Sequence, residues 1–237
     1  MTALDEQFDI QNYLAHGVER VVRETARATL TNPKETLFLG KFALASKKAS
    51  KLRKQEEEEG LHVPSFLITS ITSACNLHCA GCYSRHNEAT VDCEPVKQLS
   101  GEEWGDIFRE AEELGVSFIL LAGGEPMLRW DVIEEASRIP GIIFPIFTNG
   151  TYMGEKYLDL FDRCRNLVPI MSIEGEEDTT DDRRGEGVYA RQISNMEECR
   201  KRGIIFGASI TVTTENVKEV SSKEFIDSLA ERGCKLV

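Results

Sequence analysis

Along most of the chain, short and nearly unbroken apolar runs take turns with longer stretches whose apolar residues recur at helical spacing. SFLITSIT (65–72), SFILLAGG (117–124), IIFPIFTNG (142–150), LVPIMSIEG (167–175) and IIFGASITVT (204–213) read as strands, rich in β-branched and aromatic residues. Between them, GEEWGDIFREAEELG, WDVIEEASRI, EKYLDLFDRCRN, VYARQISNMEECRKRG and VKEVSSKEFIDSLAERG read as helices. Ser100 followed by Glu103 predicts a capping box at the first of these helices, and Gly203 a stop for the fourth. CKLV opens a further strand. Five strand–helix units and the start of a sixth predict an α/β fold with a parallel sheet and helices on its outside. Nearly continuous apolar strands are those covered on both faces.

Residues 1–60 follow another pattern and predict an N-terminal helical extension ahead of a core spanning 61–237. Ile10, Leu14, Val18, Val21 and Val22 recur at helical spacing. Pro33 suits the first turn of a second helix, which runs to a stop at Gly60. That helix carries Lys41, Lys47, Lys48, Lys51, Arg53 and Lys54 near a stripe of Leu37, Phe38, Phe42 and Leu44. Such a helix can lie on a membrane surface or dock a partner. Packing on the main domain, with the charges solvated, is the favoured expectation. At the other end, a strand begun at CKLV and left unfinished at Val237 leaves edge groups unpaired, which implies a longer natural protein.

Composition narrows the class. The chain is 41% hydrophobic and 29% charged, with a formal charge of −12 that disfavours general nucleic-acid binding. The N-terminus lacks the basic and apolar regions of a secretory signal, and no apolar run approaches the roughly 20 residues a membrane span needs. A reducing, cytoplasmic setting is expected. There, close-set cysteines bind metal or do redox chemistry more often than they form disulfides.

The strand ends carry the unusual residues, and in parallel α/β folds the carboxyl ends of strands are where ligands bind. After the first strand, ITSACNLHCAGCYS places Cys75, Cys79 and Cys82 within one short loop. The spacing suits one face of a helix and hence a buried apolar cluster, although Asn76 and Gly81 are poor helix residues. It also suits zinc, with His78 or His86 as a fourth ligand. The third reading, the one favoured, is an iron–sulfur cluster, which soft thiolates suit and which three cysteines would leave with one open iron. After the second strand, Gly123-Gly124-Glu125-Pro126 is an ordinary turn or a place where backbone approaches a ligand without a Cβ in the way. Thr148-Asn149-Gly150 follows the third strand and reads locally as a turn. SIEGEEDTTDDRRGEG follows the fourth and reads locally as an acidic, mobile loop. Cys93, Cys164, Cys199 and Cys234 show no metal spacing, and the last three are expected to be packing residues.

Cys-x-x-x-Cys-x-x-Cys directly after a first βα-type strand, with GGEP some 40 residues on, resembles the radical S-adenosylmethionine (SAM) superfamily. The resemblance covers about residues 64–237 and implies a partial (βα)6 TIM-like barrel. It implies that Cys75, Cys79 and Cys82 hold a [4Fe–4S] cluster whose fourth iron is chelated by SAM. Gly123, Gly124, Glu125 and Pro126 then stand where the family binds the SAM amino group. Asn149 lines the site, and Ser172 and Arg184 contact SAM, the arginine through its carboxylate. Arg183 rivals Arg184, and Glu174 stands where aspartate is usual. Ile210, Val212 and Asn216 resemble positions flanking the adenine. The sequence departs at Gly81, where the family often has an aromatic residue; here Tyr83 follows the third cysteine instead.

The implied activity is reductive cleavage of SAM to a 5′-deoxyadenosyl radical that abstracts hydrogen from a peptide or small-molecule substrate. A reducing partner such as a flavodoxin or ferredoxin is implied as well. The rival is a non-catalytic scaffold with structural zinc or iron–sulfur in the cysteine loop.

Overall fold

The computed structural model describes residues 33–93 and 97–237. The predicted helix around Leu14 and Val18 lies outside them. Five strands, β1 (Phe66–Ser70), β2 (Phe118–Ala122), β3 (Phe144–Thr148), β4 (Leu167–Ser172) and β5 (Gly207–Ser209), form one sheet in chain order. All neighbouring pairs are parallel, with Phe66 opposite Phe118, Phe144 opposite Leu167 and Ser172 opposite Ser209. Among the described residues the sheet does not close. Leu236 pairs in parallel with Gly207, so the sixth strand begins where the sequence places it. Most strands are shorter than their apolar runs; β5 keeps only Gly207–Ser209 of the predicted 204–213.

Side chains alternate across each strand, and the two faces have different partners. Ile119 and Leu121 of β2, Phe144 and Ile146 of β3 and Met171 of β4 share a core with Phe108, Ile133, Phe161 and Met196. These come from α3 (Gly101–Glu113), α4 (Trp130–Ser137), α5 (Glu155–Arg163) and α7 (Val188–Arg202). The capping box at α3 forms as predicted: the Ser100 side chain accepts from Glu103 N, and Glu103 accepts from Ser100 N at 2.7 Å. Gly203 ends α7 in the left-handed region.

Part of the opposite face meets α1 (Pro33–Glu58), while Ile68 of β1 stays exposed. Phe42, 1% exposed, joins Ile143, Val168, Ile170 and Ile205, and meets Phe118 edge-on at 5.4 Å. Arg53 Nη1 donates to Gly115 O and Ser117 Oγ, Arg165 pairs with buried Glu35, and Lys34 reaches Asp162 at 2.9 Å. The polar partners Gly115, Ser117, Asp162 and Arg165 all precede strands. The helix therefore lies at the end of the sheet where strands begin, and among the described residues it leaves free the end where they finish. Lys41, Lys47, Lys48, Lys51 and Lys54 face outward. Among the described residues no helix is long and apolar enough to cross a membrane.

Two segments differ from expectation. The acidic stretch after β4 is helix α6 (Glu177–Arg184), not a mobile loop. Thr180 is buried; its hydroxyl donates to Gly175 O at 2.9 Å and accepts from Glu174 N. Asp181 accepts from Gly187 N and Tyr189 N, bending the chain directly into α7. The single helix predicted after β5 is two, α8 (Val217–Val220) and α9 (Lys223–Glu231). The break is chemical: Ser221 Oγ turns back to Val217 O, and Ser222 Oγ caps Phe225 N.

Candidate active site

The chain beyond β1 does not continue as a helix. Thr72 Oγ1 accepts from Ala74 N, and Cys75 N donates to Val91 O at 3.0 Å, so the loop leaves the sheet in extended form. Helix α2 (Tyr83–His86) starts only after Cys82, whose amide donates to Cys79 O. The three cysteines are thus on a loop and not on one helical face. Each is a half-buried free thiol. Burial pushes the Cys75 and Cys79 thiols above their ordinary pKa, and at Cys79 the Arg184 charge works against that rise.

His78 does not join them. It reaches Asp92 at 3.0 Å on the exposed side, and His86 is exposed at the end of α2. Arg85 also holds Asp92, and its guanidinium collects the carbonyls of Leu77 (2.9 Å) and Cys75 (3.1 Å). Among the described residues no three His, Cys, Asp or Glu side chains are grouped to share one metal ion. A cubane does not ask for that grouping, because each thiolate takes a different iron. Three soft sulfur donors on one loop, with a cation beside them, fit an iron–sulfur cluster better than tetrahedral zinc.

The GGEP turn lies against this loop. Gly124 N donates to Thr72 O and Glu125 N to Ala74 O, both at 2.8 Å. A Cβ on Gly123 (φ +137) would sit 2.2 Å from Thr72 O, and one on Gly124 2.1 Å from Ala74 O. The close approach the glycines allow is to the cysteine loop itself. Pro126 opens a 3-10 turn, Pro126–Leu128. Glu125 is 1% exposed. Its Oε1 accepts from Met127 N (2.9 Å) and Thr148 Oγ1 (2.8 Å), and its Oε2 from Asn149 N (2.7 Å). Burial raises its pKa against the pull of these donors.

Asn149, at the end of β3, donates from Nδ2 to Asn76 Oδ1 at 3.0 Å and accepts at Oδ1 from Thr151. Gln192 of α7 donates to the carbonyls of Asn149 (2.7 Å) and Ser172 (3.1 Å), joining the ends of β3 and β4. Ser172 is half-buried at the last position of β4.

Arg184 closes the other side. Its Nε and Nη2 grip both oxygens of Glu174 at 2.5 and 2.6 Å, and its Nη1 lies 3.8 Å from Cys79 Sγ. Burial, the largest single influence, works against the Arg184 charge, but its hydrogen bonds to Glu174 together with the negative charges of Glu174, Cys79 and Glu125 raise its pKa. Arg183 shares the carboxylate more loosely, at 3.6 Å. Its carbonyl accepts from Ala80 N at 2.7 Å, and its Nη1 would lie 3.3 Å from a Cβ on Gly81 (φ +66). Tyr83 points to solvent, 77% exposed. Asn216, instead of standing free, spends its amide on Glu174 O and Thr211 O. Ile210 and Val212 line a cleft of about 470 Å³ with Phe147 and Ser209. Cys199 and Cys234 are buried, Cys164 is half-buried at the end of α5, and Cys93 is exposed; none joins the site.

The profile of the Radical SAM superfamily matches residues 69–229, from within β1 to α9. The chain belongs to this superfamily. Fe-coproporphyrin III synthase of Methanosarcina barkeri is 29% identical over 157 residues, 65% of this chain and 38% of that protein. The sporulation killing factor maturation protein SkfB of Bacillus subtilis is 25% identical over 176 residues, 73% of this chain and 41% of its own length. The crystal structure of Streptococcus suis SuiB bound to the precursor peptide SuiA superposes with a TM-score of 0.61 at 20% identity. It covers 86% of this chain and 44% of SuiB. The chain therefore spans less than half the length of these relatives. The radical SAM fold explains why the cysteine loop, GGEP, TNG and Arg184 gather at one end of the sheet. Asn76, Arg85, Thr148, Thr151 and Gln192 hold that gathering together. Of these only Thr148 stands in a motif, TNG; Asn76 has the local signal that it directly follows Cys75.

Proposed function

We propose that this chain is the catalytic core of a radical SAM enzyme, with Cys75, Cys79 and Cys82 as the ligands of a [4Fe–4S] cluster. When bound and reduced, the cluster supplies the electron that cleaves SAM to a 5′-deoxyadenosyl radical, which takes hydrogen from the substrate. The observation that carries the reading is the placement of three half-buried thiols on one non-helical loop, between the GGEP turn and a half-buried arginine.

The chain's own contribution is position and charge. Arg184, held by Glu174, faces Cys79 and offsets the negative charge that gathers there. The carboxylate of SAM is assigned to the same arginine, Ser172 to its neighbourhood, and the GGEP backbone to its amino group. Residues 33–58 pack at the end of the sheet where strands begin, which favours entry of substrate and SAM where the strands finish. The substrate class proposed is a peptide or a small molecule, since maturation proteins and a haem-related synthase stand among the similar proteins. A flavodoxin or ferredoxin is the proposed electron donor, and a cytoplasmic setting suits it.

The test is anaerobic reconstitution followed by reduction in the presence of SAM, with 5′-deoxyadenosine measured by chromatography. The native chain releases it. Alanine at Cys75, Cys79 or Cys82 abolishes release, and retention in any one of the three contradicts the assignment.

A further inference from the structure

The hydrogen bonds around Cys75 close into a ring. Glu125 N donates to Ala74 O at 2.8 Å, just before Cys75. Glu125 Oε2 accepts from Asn149 N at 2.7 Å. Asn149 Nδ2 donates to Asn76 Oδ1 at 3.0 Å, just after Cys75. Asn76 Nδ2 in turn donates to Thr151 Oγ1 at 2.8 Å, and Thr151 Oγ1 donates to Asn149 Oδ1 at 2.6 Å. Both ends of the Cys75 residue are thereby tied to the ends of β2 and β3. The carboxylate at the centre of the ring is 1% exposed and meets three protein donors on its two oxygens. Of about four lone-pair positions on a carboxylate, three are filled from within the chain.

We propose that Glu125 and Asn76 are positioning residues for the cluster site: the Glu125 carboxylate serves a buried latch that fixes the cysteine loop before SAM binds. The inference rests on the assignment of the cluster to Cys75, Cys79 and Cys82. It assigns a role to Asn76 that no motif indicates, and it gives Glu125 a loop-support role that does not need SAM.

The two roles predict different behaviour before SAM is added. In Glu125→Gln the new amide turns an NH2 toward either Asn149 N–H or the Thr148 and Met127 donors, so donor faces donor whichever way it sits. The latch is broken with no SAM present. If the role of Glu125 were confined to the SAM ammonium, the same variant would leave the SAM-free cluster untouched and only weaken SAM binding. Asn76→Ala cuts the ring at an exposed position and keeps Glu125 intact. Asn76→Asp keeps the acceptor for Asn149 Nδ2 and loses only the donor to Thr151.

The experiment uses the full chain, reconstituted anaerobically with iron and sulfide and free of SAM. It records the electron paramagnetic resonance (EPR) spectrum of the reduced protein and the rate at which a chelator removes iron. Supporting ligand shells typically change metal affinity by 10–100-fold, so Asn76→Ala and Glu125→Gln should each speed iron loss by about tenfold. Both should also shift the SAM-free spectrum, with Asn76→Asp between them and the native chain. A double variant should lose iron no faster than Glu125→Gln alone, because both changes cut one ring. A general loss of stability would lower the melting temperature without moving the spectrum. Native spectrum and native iron loss in Asn76→Ala overturn the proposal, as does a Glu125→Gln effect confined to the SAM-bound state. If Glu125→Gln does not fold, Asn76→Ala carries the test alone. Iron retained after all three cysteines become alanine would instead overturn the cluster assignment beneath it.

Discussion

Adding one methyl group at Gly124 tests whether the GGEP turn and the cysteine loop are a single unit. A Cβ there would lie 2.1 Å from Ala74 O and 3.0 Å from Cys75 Cβ, against an ordinary contact of at least 3.4 Å. Backbone on both sides must therefore part by about 1.3 Å. That separation strains or breaks two hydrogen bonds, Gly124 N to Thr72 O and Glu125 N to Ala74 O, both 2.8 Å. Overpacking of this kind costs about 1–3 kcal/mol, and each hydrogen bond lost adds about 1 kcal/mol. A net loss of about 3 kcal/mol lowers the melting temperature of a domain this size by about 6–12 °C. Thermal unfolding of Gly124→Ala followed by circular dichroism gives the first reading, and iron bound after reconstitution the second. Both should fall. Gly40→Ala is the control of opposite sign: it sits inside α1 with nothing within 4 Å of the new Cβ, and should gain about 0.5–1 kcal/mol. A Gly124→Ala chain that melts within about 2 °C of native and binds full iron would refute the reasoning.

Removing the Phe42 ring leaves a hole against Phe118, Ile143 and Val168, and Phe42→Ala should cost about 3–5 kcal/mol in chemical unfolding. Amide exchange should rise first in Pro33–Glu58. Glu174→Ala removes the buried partner of a half-buried arginine and should cost about 3 kcal/mol, with Glu174→Gln retaining part of the pairing; an unchanged melting temperature would contradict the pairing. Asp131 has its pKa lowered chiefly by hydrogen bonds from Arg129, so its contribution is present above the ordinary carboxylate pKa of about 3.9 and lost as pH falls through the lowered value. Asp131→Asn should flatten the acid limb of a stability–pH curve below about pH 4, and a limb of unchanged slope would contradict it.

The parallel order of the strands was legible because apolar runs and amphipathic runs alternate, and the α3 cap because Ser100 and Glu103 complete each other locally. Strand ends were not, since residues such as Ile204 and Ile205 are buried against the sheet without entering its ladder. Helix α6 was hidden for the opposite reason. EEDTTDDRR has no apolar stripe, and its helix is fixed by Thr180 and Asp181 reaching Gly175 and the start of α7. Their places after successive strands pointed to the cysteine loop and the GGEP turn as neighbours, and the resemblance to the radical SAM superfamily added Arg184. Neither could say what each would touch. The neighbours of Gly123 and Gly124 come from a loop far back in the chain, and the partners of Glu125 from the next strand. Those are tertiary contacts between polar atoms, invisible to periodicity.

The account depends most on a cluster with one iron left for SAM. EPR of the anaerobic, dithionite-reduced chain, recorded before and after SAM is added, tests that directly. The expected result is a [4Fe–4S] signal with about four irons per chain, whose g-values change when SAM binds the open iron. A chain that holds no iron, or a signal that SAM leaves unchanged, would contradict it.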